Sequence, residues 1–110
     1  MAYDEQIAGR IRAILADEPG LTEQKAFGGL AFLIAGNMAV SASSRGGVMV
    51  RVDPAESDAL VATTAAAVME MRGRRMPGWL HLDAADVGDD DDLADWIERG
   101  VLYARTLPPK

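Results

Sequence analysis

LAFLIAGNMAVSASSRGGVMVRV, residues 30–52, decides the fold. Leu30 to Ala35 is a short apolar run, read as a strand that is apolar on both faces. Gly36-Asn37 follows as a two-residue hairpin signal, because glycine takes the positive φ that a tight turn requires. Met38 to Ser43 returns, Ser44-Arg45-Gly46-Gly47 turns again, and Val48-Met49-Val50-Arg51-Val52 is a third strand. Upstream, Thr22 to Phe27 is extended by composition and Gly28-Gly29 bends it into the run. The whole reads as a meander of three or four antiparallel strands.

Helical signals flank the meander. Asp4 is an N-cap, and Ile7, Ile11, Ile14 and Leu15 make one apolar stripe that Pro19-Gly20 ends. Asp53-Pro54-Ala55-Glu56 has the residues of a capping box with proline at the first helical position. Thr63-Thr64 weakens that second helix, and alanines carry it towards residue 66. Val68 to Met71 and Trp79 to Leu82 are two further strands around a loop from Gly73 to Gly78. Asp89 to Asp92 open a last helix with Leu93, Trp96, Ile97, Tyr103 and Ala104 on one face, closed by Leu107-Pro108-Pro109-Lys110. The expected fold is α+β: a two-layer sandwich with an antiparallel sheet of five to six strands, in the order α-β(3-4)-α-β(2)-α. Residues 1–110 are read as one domain, since a chain of this length encloses one core.

Composition narrows function. The chain has no cysteine, which removes disulfides, thiolate metal sites and cysteine nucleophiles. Met1 to Glu5 lacks a secretory signal and no apolar run could span a bilayer, so the expected setting is cytoplasmic. A net charge of −6 opposes unaided binding to nucleic acid, whose affinity for proteins comes largely from cations.

Chemistry-bearing residues are sparse. His81 is the only histidine and has no partner that spacing can name, so it reads as structural. Asp83, Asp86 and Asp89 to Asp92 lack the alternation and distal glutamate of a calcium loop, and read as a solvated helix cap. The glycine pairs are turns, not phosphate loops, and no serine stands in a nucleophile elbow. Met38, Met49 and Met69 fall in strands and read as core rather than as an adaptable surface. Arg72, Arg74 and Arg75, with Trp79 nearby, form the one dense cationic group and are the candidate anion or partner contact. No catalytic residue, cofactor or metal site is expected.

Lys25-Ala26-Phe27-Gly28-Gly29-Leu30-Ala31-Phe32, Gly36-Asn37-Met38, Val48 to Val52, Met76-Pro77-Gly78-Trp79, Leu93-x-x-Trp96 and the closing Leu107-Pro108-Pro109-Lys110 together resemble the N-terminal domain of the TfoX/Sxy family. The resemblance covers nearly the whole chain. It departs at Ala26, where the family usually has methionine, although an apolar residue is kept. The resemblance implies a secretion-chaperone-like fold and a bacterial, transcription-associated role. Full-length members promote competence-gene expression by helping a cAMP-responsive activator and carry a second, C-terminal helical domain; the expectation here is a stand-alone N-terminal domain. The leading reading is a non-enzymatic regulatory adaptor acting through protein contacts. Alternatives are a direct nucleic-acid-binding module using the Arg72–Arg75 loop and a small enzyme involving His81. A protein partner is expected, nucleic-acid and membrane binding are not, and a homodimer through a sheet edge or an uncovered sheet face stays open.

Overall fold

A computed structural model describes residues 3–26 and 28–110, with Met71 described by its backbone alone. Phe27, the last residue of the first expected strand, lies outside the described residues. Helix α1, Glu5–Ile14, starts on Asp4, whose carboxylate accepts from the N–H groups of Gln6 and Ile7. Ile7, Ala8, Ile11 and Leu15 are buried, whereas Ile14, expected in the same stripe, is 37% exposed. Four strands follow: β1 Leu21–Ala26, β2 Gly29–Ile34, β3 Asn37–Ala42 and β4 Val48–Arg51.

The β2–β3 turn is shifted by one residue from the expectation. Ala35 and Gly36 take the positive φ values, and Asn37 already pairs with Ile34. The cause is distant in sequence: Asn37 is buried and its side-chain amide donates to the Pro108 carbonyl at 3.0 Å, tying the end of the last helix to the turn.

Asp53 then caps a 3-10 turn, Pro54–Glu56, by accepting from the Ala55 N–H at 2.9 Å. The turn runs into α2, Ser57–Thr63, so the Glu56 backbone N–H is used by Asp53 O and the reciprocal capping box does not form. Helix α2 stops before the alanines, because the Thr63 and Thr64 hydroxyls donate back to the Ala59 and Leu60 carbonyls.

The expected loop from Gly73 to Gly78 is instead mostly strand. β5, Ala67–Met71, and β6, Arg74–Leu82, meet at an Arg72-Gly73 turn with both residues at positive φ. Pro77-Gly78-Trp79 forms an irregularity inside β6, where pairing to β5 jumps from Met69↔Met76 to Val68↔Leu80. Gly78 has φ +88 there; its N–H donates to the buried Ser57 hydroxyl and its carbonyl accepts from Val52 N–H at 2.8 Å. A Cβ at Gly78 would lie 3.0 Å from Val52 O and from Pro54, so glycine is needed for the α2 segment to dock. A second 3-10 turn, Ala84–Val87, leads to α3, Asp90–Thr106, capped by Asp89.

The six strands form one antiparallel sheet in the order β1-β2-β3-β4-β6-β5. This is the expected two-layer α+β arrangement. One face carries Leu30, Phe32, Ile34, Val40, Val48, Val50, Leu80 and Leu82 against Ile7, Ile11, Leu93, Trp96, Ile97 and Val101 of the helices. Gly100 lets α3 come close, since a Cβ there would run into the Ala39 carbonyl. The other face holds a smaller cluster of Ala31, Met38, Met49 and Met69, with Leu33 and Trp79 packed on it; no described helix residue belongs to it.

Candidate functional site

Consecutive strand residues point to opposite faces, and this separates the candidate arginines. Arg74 and Arg75 follow the Arg72-Gly73 turn in β6, in register with Met71 and Glu70 respectively, so they cannot form one flat patch. All three arginines are exposed, and none is ion-paired among the described residues. Trp79 lies half-buried on the helix-free face, with the Arg51 guanidinium 4.8 Å from its ring centroid, and Arg51 also lies 5.7 Å from the ring of Tyr103 on α3.

His81 is half-buried on β6 and its Nε2 lies 2.9 Å from the Gly46 carbonyl, which ties the β3–β4 turn to the sheet. Its Nδ1 is 3.8 Å from Asp83, beyond hydrogen-bonding distance. The acidic run is used locally: Asp89 caps α3, and Asp90 pairs with Arg10 at 2.8 Å while Arg10 also donates to the carbonyls of Val87 and Gly88. Among the described residues, no three His, Asp or Glu side chains are placed to share a metal ion. No helix among them is long and apolar enough to cross a membrane.

Two of the concavities among the described residues combine buried or apolar lining with a charged rim. A cavity of about 230 Å3 opens on the helix-free face between Ser41, Ser43, Met49 and Met69, with Arg45 and Glu70 at its rim. The buried Ser41 hydroxyl donates to the Ala42 carbonyl, and the Ser43 hydroxyl accepts from the Arg45 N–H. Neither is hydrogen-bonded to a side chain that would take its proton, so the serines supply polarity rather than a nucleophile.

The second concavity is a groove of about 370 Å3 between α1 and α3, lined by Ile14, Leu15, Ile97, Val101 and Leu102. Its rim carries Glu18, Glu98 and Arg105, with Arg105 held by the Glu18 carboxylate at 2.9 Å and by the Pro19 carbonyl. Leu102 is 60% exposed and Ile14 37%, and among the described residues these two large apolar side chains are the exposed ones. Sequence reasoning placed Ile14 in the core and passed over Leu102. The available signal was its position beside Val101, one step off the stripe of Leu93, Ile97 and Ala104.

A family model described as the TfoX N-terminal domain matches residues 13–104. No curated protein matches the chain.

Proposed function

The chain belongs to the TfoX N-terminal domain family, which is associated with competence regulation, and on that premise we propose that it is a cytoplasmic, transcription-associated adaptor that holds a partner protein. The α1–α3 groove carries this reading. Two large apolar side chains flank one groove, although burying a leucine would stabilise the molecule by about 1.5–3 kcal/mol. An amphipathic helix is the occupant that such a groove between helices fits, its apolar residues lying against Ile14 and Leu102. Glu18 and Glu98 on the rim, on a chain of net charge −6, favour basic residues flanking that apolar face.

The test is site-specific photo-cross-linking from position 98 in the native cytoplasm, repeated with Leu102→Asp and with Arg74→Glu plus Arg75→Glu. One recurring protein should be captured by the parent and by the arginine variant, and lost with Leu102→Asp at an unchanged melting midpoint. No capture, or capture indifferent to Leu102→Asp, overturns the reading.

The exposed arginines at the β5–β6 tip support a second reading, direct contact with nucleic acid. Titration of labelled DNA and RNA at low salt decides it: binding that Arg74→Glu plus Arg75→Glu abolishes would replace the adaptor reading.

A further inference from the structure

The sheet ends on β1 at one side and on β5 at the other. Along β1, Thr22, Glu23, Gln24 and Lys25 are exposed. The Ala35 N–H donates to the Gly20 carbonyl at 3.1 Å, which fixes the phase of the ladder beside it. Antiparallel bonds alternate every second residue, so the bonds from β1 to β2 fall at Thr22, Gln24 and Ala26. The N–H and C=O groups of Leu21, Glu23 and Lys25 therefore face the open edge.

We infer that β1 is a self-association edge, where a second copy of this chain pairs antiparallel with Glu23 opposite Lys25. An added strand must bond through residues 21, 23 and 25, and for two copies related by a two-fold axis only three registers overlap well. Centred on Glu23, the register sets two carboxylates opposite each other. Centred on Thr22, it sets Leu21 opposite Glu23. Centred on Gln24, it sets Glu23 opposite Lys25 twice, with four backbone hydrogen bonds in the two pairs. Opposite charges across strands stabilise and like charges destabilise, so charge selects the third register.

Glu23 is already positioned for this. It shares the helix face with Phe32, and its carboxylate accepts from Arg12 Nε and Nη2, both at 2.8 Å. The two-fold axis of an antiparallel pair is normal to the sheet, so Lys25 of the second copy arrives on that same face. Each Glu23 then lies between an arginine of its own chain and a lysine of the other. The β5 edge offers no such match, since Glu70 is its one charged residue. Charges on an edge strand commonly keep other strands away. Opposite charges two residues apart, with the phase found here, admit an antiparallel copy of themselves. This inference is independent of the α1–α3 groove.

The absence of cysteine makes the test direct. In the selected register Gln24 faces its own copy in a non-hydrogen-bonded pair, with Cα atoms about 4.5 Å apart. Thr22 faces Ala26 instead, and two Thr22 residues lie on the order of 13 Å apart. Under mild oxidation Gln24→Cys should form a disulfide-linked dimer at least about tenfold faster than Thr22→Cys. Sedimentation of the parent chain over a concentration series to about 1 mM should show a monomer–dimer equilibrium. Lys25→Glu should weaken it about tenfold or more, and most at low salt. Lys25→Pro should weaken it too, while sparing the fold, because the Lys25 N–H makes no bond to β2. A chain that stays monomeric throughout, equal cross-linking rates at 22 and 24, or dimerisation unmoved by Lys25→Glu overturns the inference.

Discussion

Two adjacent rows cross the sheet, one residue apart in every strand, and they differ in character. Glu23, Phe32, Val40, Val50, Leu80 and Val68 cross it on the helix face; Gln24, Ala31, Ser41, Met49, His81 and Ala67 cross it on the other. The first row is built of bulky, mostly branched residues that fill the space under α1 and α3. The second is mostly small or polar, and methionines close over it from β3, β4 and β5. Helices demand a dense, fixed surface on one side, whereas a face without them is satisfied by small residues and flexible thioethers. Stability is therefore concentrated on the first row and adaptability on the second.

The sharpest way to break this comparison is at its centre. Phe32 is fully buried in the helix-face row, and Phe32→Ala should cost about 3–5 kcal/mol in urea unfolding. A loss under about 1 kcal/mol would mean that the helix layer does not depend on that row. Next in size is Gly100→Ala. Alanine gains up to about 1 kcal/mol of helix propensity, but its Cβ runs into the Ala39 backbone, so a net loss of about 1–3 kcal/mol is expected. Gly9→Ala in α1 is the control, since nothing lies within 4 Å of a Cβ there; it should stabilise by up to about 1 kcal/mol. Opposite signs for one substitution in two helices would locate the constraint in the α3–sheet contact.

Met49 sharpens the comparison from the other side. It is 5% exposed, nearly as buried as Phe32, Val40, Val50 and Leu80 at the centre of the first row, yet it belongs to the cluster without helices. Met49→Leu conserves volume and should cost less than about 1.5 kcal/mol in the same urea assay. A larger loss would show that the methionine cluster is as closely fitted as the helix face.

The rows also explain what was legible in the sequence. The meander, the Asp4 and Asp89 caps and the order of elements rest on local signals, and they stand in the structure. Helix α2 ends early for a local reason, the Thr63 and Thr64 hydroxyls, but two of the misread segments are settled by distant partners. Asn37 leaves the turn because Pro108 recruits its side chain, and Pro77-Gly78 is strand because Ser57 and Val52 take up the Gly78 backbone groups. Met38, Met49 and Met69 are buried as expected, but periodicity does not show that the face they occupy lacks helices. The groove was illegible for the same reason, because the exposure of Ile14 and Leu102 depends on how α1 and α3 pack. The arginines' exposure could be read from composition, whereas the pairing of Trp79 with Arg51 needed the strand register.

The smallest expected effect lies at the end of the first row, where Glu23 stands in place of an apolar residue. Hydrogen bonds from the Arg12 guanidinium hold its carboxyl below the usual glutamate value, against a weaker opposing effect of burial. A carboxyl whose folded value is depressed adds stability above its unfolded value, about 4.3, and loses it as pH falls through the lower folded value. Arg12→Met keeps the aliphatic stem but removes the donors, so Glu23 should return towards the ordinary range. Melting midpoints of the two proteins should differ at pH 7 and converge as pH falls through the depressed folded value of the parent Glu23 carboxyl, where it takes up its proton in both proteins. Dilute protein is needed, so that no lysine of a second copy takes the place of Arg12. The difference should be the smallest of the series, because both side chains are substantially solvated and water screens the pair. Midpoints that differ equally at all pH values would assign the role of Arg12 to packing of its stem, leaving the charge at the end of the row without energetic weight.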